Sequence, residues 1–131
     1  MLEIRKKMVN YTVEQATTII EEACNNNDFM VLMSKNLGKS LKEKLGITDY
    51  EEYMLILACN PEVAKQALDI NIEIGTLFPC SFVVYRQDGQ TVVAHASIMK
   101  IAIEVGLATE EEMTEILKIL KEKIDKIWEM L

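Results

Sequence analysis

Apolar positions along this chain recur with two different periods, and the switches between them outline its elements. Val13, Ala16, Ile19, Ile20 and Ala23 fall on one face at helical spacing. Thr12 and Gln15 stand where a capping box would open that helix, hydroxyl to the third amide and side-chain amide back. Asn25-Asn26-Asn27 tolerates the left-handed turn of a helix exit, so a helix is predicted over 12–26. The run 29–33 is short and apolar after a turn signal and reads as a buried strand. Leu37, Leu41 and Leu45 are spaced by four and followed by Gly46, which predicts a short helix over 39–45. The run 53–59 is apolar on both faces and is placed centrally in a sheet. Residues 2–9 form a weaker first strand, interrupted by Arg5, Lys6 and Lys7.

Asn60-Pro61 is the sharpest local signal. Asn is a good N-cap, and Pro is favoured at the first helical position because its missing N–H costs nothing there. The helix that follows is predicted to carry Val63, Ala64, Ala67 and Leu68 inward. Pro79 opens a strand over 81–86. Asp88-Gly89 makes a type I′ hairpin turn, and 91–96 returns. A short helix over 98–105 stops at Gly106. Thr109 then caps a long helix whose first turn, Glu110-Glu111-Glu112, complements the positive end of the helix dipole. Met113, Leu117, Leu120, Ile124, Ile127 and Leu131 form a heptad stripe on it. This order predicts an α+β fold in one domain, 1–131: a mostly antiparallel sheet with helices on one face and ferredoxin-like strand–helix–strand elements.

Composition narrows the function classes. Fourteen Lys and Arg against 21 Asp and Glu leave a net charge of −7, which argues against nucleic acid as the main ligand. No run approaches the roughly 18 apolar residues that span a bilayer, and the basic N-terminus lacks the apolar run of a signal peptide. Three cysteines imply no disulfide framework. The expectation is a cytoplasmic protein with reduced thiols and no membrane partner.

Chemistry-bearing residues are few. Cys59 ends a predicted strand one residue before the Asn60 cap, where a helix N-terminus would favour thiolate over thiol. The alternative is a small apolar residue filling a buried strand end. Cys80 is its natural partner, and Cys59, Asn60 and Cys80 together are the candidate site. If the two strands ran parallel, the thiols would lie roughly 20 Å apart at about 3.3 Å per residue. They meet only if the strands are antiparallel or the 70–79 loop folds back. Cys24 reads as packing. His95, the one histidine, shares a strand face with Val93. Cys59, Cys80 and His95 are soft donors, but their spacing matches no zinc motif, so neither a metal nor another cofactor is expected. The eight methionines read as core packing, and Trp128 as a last core residue or a subunit contact. The five glycines form no phosphate-binding loop, and no carboxylate pair stands out for acid–base work.

Ala58-Cys59-Asn60-Pro61, Ala64, Ala67-Leu68 and Gly75-Thr76-Leu77-Phe78-Pro79-Cys80 resemble the signature of the family known as domain of unknown function 302. Asp28–Leu32 and Leu41–Gly46 match in order and spacing, so the resemblance covers residues 10–96. It implies a small, dimeric α+β protein with no settled activity. Two departures stand out: Ser34-Lys35-Asn36 replaces an acidic stretch containing an aspartate, and Ser81 replaces the asparagine after the second cysteine. Three functions are then weighed. The first is a homodimeric binding or interaction module. The second is a thiol-based protein handling sulfur, a redox partner or a soft metal through Cys59. The third, a conventional hydrolase or transferase, has least support.

Overall fold

The computed structural model describes residues 4–131. Its elements are β1 (Arg5–Val9), α1 (Val13–Asn26), β2 (Met30–Asn36), α2 (Leu37–Leu45), β3 (Tyr53–Cys59), α3 (Pro61–Ile70), β4 (Cys80–Gln87), β5 (Gln90–His95), α4 (Ile98–Glu104) and α5 (Glu110–Glu129). A turn of 3-10 helix, Ile72–Leu77, links α3 to β4. Its six residues carry no helical period in the sequence. The first two residues of the predicted first strand lie outside the described residues.

The strands form one sheet in the order β1-β5-β4-β3-β2, and every neighbouring pair is antiparallel. The fold is α+β, as the element order implied. The parallel strand–helix–strand relation survives only between the two sheet edges: β1 and β2 point the same way, and α1 crosses between them. On the way α1 packs beneath β2, β3 and β4.

Local capping chemistry acts as read. Thr12 and Gln15 form the capping box of α1, and Thr109 and Glu112 that of α5. Asn60 Oδ1 accepts from the Val63 amide at 3.1 Å. Asp88 and Gly89 both have positive φ, 52° and 78°, as a type I′ turn requires. At the exit of α1 the left-handed residue is Asp28, φ 65°, one position beyond the asparagines.

Two elements differ from expectation. The second strand runs to Asn36 and is a sheet edge rather than a buried strand; Met30, Leu32 and Met33 are each about half exposed. Its short apolar run resembles a buried strand because an apolar edge and a buried strand share a composition. The buried face of α5 is Met113, Ile116, Leu120, Ile124, Ile127 and Trp128. It follows 3.6 residues per turn rather than the heptad, and it packs on α1, α3 and α4 of its own chain. The stripe is therefore occupied within the fold.

The basic residues of β1 also find a role. Arg5 and Lys7 face the helical layer. Arg5 Nη1 donates to Asp125 at 2.7 Å and its guanidinium lies 5.0 Å from the Trp128 ring centre, while Lys7 Nζ donates to the Trp128 carbonyl at 3.3 Å. Charges that weaken the strand pattern thus pin α5 to the sheet edge.

Candidate functional site

Strand parity places each candidate residue. Ala58 pairs with Cys80, Ile56 with Phe82, and Phe82 with His95, which pairs in turn with Arg5. Cys80, Phe82, His95 and Arg5 therefore share the helix-covered face at one end of the sheet. Because β3 and β4 are antiparallel, Cys59 and Cys80 lie at the same end. The separation expected for parallel strands does not arise, because α3 and the 3-10 turn reverse the chain.

Cys59 lines a cavity of only about 20 Å³, with Asn60, Val63, Phe78, Cys80 and Met99 among its walls. That is room for about one water molecule, and its lining is nearly all apolar. The helix N-terminus has only the Glu62 N–H left to offer a thiolate there. Pro61 has no N–H, Val63 N–H is taken by Asn60 Oδ1, and Ala64 N–H by the Asn60 carbonyl at 2.9 Å. Burial accordingly raises the Cys59 pKa, opposite to the lowered value expected for a nucleophile. Burial pushes the Cys80 thiol up to about 11, and nearby Cys59 adds to the effect. Cys24, fully buried in α1 as expected of packing, is pushed up to about 12 by burial and then by Cys80. All three cysteines are free thiols.

A larger cavity, about 120 Å³, opens on the other side of Cys80. Arg5, His95, Ser97, Lys100 and Lys121 supply its polar lining beside Cys80, and Ile98, Leu117, Leu120 and Ile124 its apolar wall. The His95 ring stacks on Phe82 with centres 4.6 Å apart, and its Nδ1 lies 2.8 Å from the Ser81 carbonyl oxygen. A carbonyl only accepts, so Nδ1 carries the proton and Nε2 is the lone pair of a neutral imidazole. Burial lowers the His95 pKa, the Ser81 hydrogen bond opposes this, and Arg5 lowers it further. Asp125 holds two of the cavity's cations, accepting from Arg5 at 2.7 Å and from Lys121 at 2.7 Å. Among the described residues no three His, Cys, Asp or Glu side chains are grouped so as to hold a metal ion.

Sequence reasoning thus found Cys80 and missed most of its neighbours. Arg5, Lys100 and Lys121 carry no local pattern that marks a cavity. The signal that existed was parity: Arg5 and His95 each sit on the inward register of their strand, but their pairing spans the chain. The departures at 34–36 fall elsewhere. Ser34 donates to Glu21 Oε2 at 2.8 Å, and Asn36 Oδ1 caps α2 by accepting from the Lys39 amide at 2.9 Å. Ser81 serves His95 through its backbone carbonyl, so the side chain at that position is not what holds the ring.

This geometry defines a class: small α+β proteins with a five-stranded antiparallel sheet, one face covered by helices and a cavity at the sheet end. The family model described as "Domain of unknown function DUF302" matches residues 5–131, and the chain belongs to that family. The match reaches well beyond residues 10–96 and takes in β1, α4 and α5, which supply most of the larger cavity's walls. Among solved structures, the chain is similar to the crystal structure of an uncharacterized conserved DUF302 protein from Bacillus stearothermophilus. The two share 24% identity and a TM-score of 0.79, over 95% of this chain and 97% of the other. That likeness establishes the fold. No curated protein matches. Among the described residues no helix is long and apolar enough to cross a membrane.

Proposed function

We propose that this protein is a homodimeric interaction module that self-associates through the sheet face opposite the helices. The observation that carries this reading is the composition of that face. By register, Met8 of β1, Val92 and Ala94 of β5, Val83 and Tyr85 of β4, Tyr53, Leu55 and Leu57 of β3, and Met30 and Met33 of β2 all point to it. A solvated sheet face is ordinarily polar. Here Lys6, Lys35 and Ser81 are the main polar interruptions, and Met8 is 67% exposed. Tyr53 and Tyr85 stack at 5.6 Å across it.

A second copy suits this face because its apolar surface is bordered by charges of both signs. Asp49, Glu51, Glu52 and Asp88 border one depression on it together with Lys6, and Lys35 stands on the β2 edge. Five strands of about seven residues make a footprint of about 550 Å². Ridged side chains expose more area than their footprint, which approaches the roughly 800 Å² per partner of a standard interface. The thiol-based alternative draws no comparable support, because burial holds all three thiols in the protonated form at neutral pH.

Sedimentation velocity at micromolar concentration tests the reading. A dimer is expected, and Leu55→Glu, at the centre of the face, is expected to give a monomer with native circular dichroism. Met33→Lys, nearer the edge, is a milder second variant that weakens association without threatening the core. A wild-type monomer at tens of micromolar would overturn the proposal.

A further inference from the structure

We infer that the cavity beside His95 and Cys80 is a binding site for a small organic acid: a carboxylate on an apolar body of about six carbons. The inference is independent of self-association, because the cavity lies on the helix-covered side of the sheet. Three observations carry it.

The first is charge. In a chain with net charge −7, the cavity is lined by Arg5, Lys100 and Lys121 and by no acidic residue among the described ones. Asp125 engages Arg5 and Lys121 from behind. One carboxylate against three cations leaves an excess of about two positive charges at the site. Asp125 also fixes two of the cationic heads in place, so less ordering remains when an anion arrives. Arg5 retains donors beyond the one used on Asp125, in the planar array that suits a carboxylate.

The second is the wall. Ile98, Leu117, Leu120 and Ile124 close the cavity with aliphatic carbon and offer nothing to a fully hydrated ion. Inorganic phosphate would have to give up hydration on that side, whereas an organic acid lays its apolar body there. The third is size. At about 120 Å³ the cavity is comparable to engineered apolar cavities of roughly 150 Å³ that admit benzene. His95 is neutral and Cys80 is a protonated thiol, so neither brings a negative charge to the site.

Isothermal titration with benzoate, supported by histidine ring resonances in NMR, tests this. Benzoate is expected to bind one per chain and to shift the His95 resonances. Benzyl alcohol, of similar shape without the charge, is expected to bind at least about tenfold more weakly, the usual scale for loss of a charge-assisted hydrogen bond. Lys100→Gln, at an exposed position, is expected to weaken benzoate several-fold without unfolding the protein. Leu117→Phe, which fills the cavity from a half-exposed position, is expected to abolish binding while circular dichroism stays native. No saturation by benzoate up to about 10 mM, equal binding of benzyl alcohol, or equal binding of inorganic phosphate would each overturn the assignment. The sedimentation result leaves this outcome untouched, so the two proposals fail separately.

Discussion

Asn60 and Asn36 perform the same local task in different surroundings, and comparing them isolates the effect of burial. Each accepts, through Oδ1, the amide three residues on: Val63 at 3.1 Å and Lys39 at 2.9 Å. Asn60 is 5% exposed and Val63 is 2% exposed. Asn36 is exposed and α2 buries no side chain. Replacing either by Ala removes a cap, ordinarily about 1 kcal/mol. At Asn36 water reaches the freed Lys39 amide, and the loss is expected at the low end, about 0.5 kcal/mol. At Asn60 the freed Val63 amide stays among buried side chains, and a buried donor without a partner costs about 1–3 kcal/mol. We therefore expect Asn60→Ala to destabilise by about 2 kcal/mol. With a urea m-value of about 2 kcal/mol/M, the midpoint falls by about 1 M at unchanged slope. Asn60→Ser, which restores an oxygen acceptor, is expected to recover part of the loss. Urea denaturation followed by circular dichroism measures all three. Equal midpoint shifts for Asn60→Ala and Asn36→Ala would refute the argument from burial.

His95 has a folded pKa below its ordinary 6.5, so between those two values the unfolded chain binds more protons than the folded one. Stability is therefore expected to fall as pH drops below about 6.5, and His95→Gln is expected to flatten that part of the profile; equal losses of stability between pH 7.5 and 5 in wild type and variant, measured by urea titration, would contradict the assignment. Asp125 is held below the ordinary carboxylate range by Lys121 first and then Arg5, so its contribution persists above that range and is lost on acidification. Asp125→Asn is expected to lower stability throughout pH 5–7 and to converge with the wild type toward pH 3, read by the same titrations. Peptide mapping after brief iodoacetamide treatment at pH 7.5 is expected to find Cys59 modified first, because Cys80 at about 11 and Cys24 at about 12 hold well under about 0.1% thiolate. Native Cys80 alkylated as fast as a free thiol would show that its surroundings do not suppress ionisation.

What the chain's order of residues determined alone are the features decided within four positions. The capping boxes at Thr12 and Thr109, the Asn60-Pro61 helix start, the Asp88-Gly89 turn and the stop at Gly106 were all legible. Each depends on one side chain meeting a backbone group a few bonds away. The α+β class followed from their succession. What only tertiary structure decided are the relations between distant strands. The pairing of β1 with β5 brings Arg5 beside His95, and α5 then adds Leu117, Leu120, Lys121 and Ile124 to the same cavity. Nothing local marks Arg5 for that place; in its own segment it only interrupts an apolar pattern. Likewise Cys59 and Cys80 share one sheet end because β3 and β4 are antiparallel, which their intervening helix does not dictate. Helix caps are short-range hydrogen bonds that a single sequence specifies. Strand partners are chosen by the burial of whole faces, and that free energy exists only once the sheet is assembled.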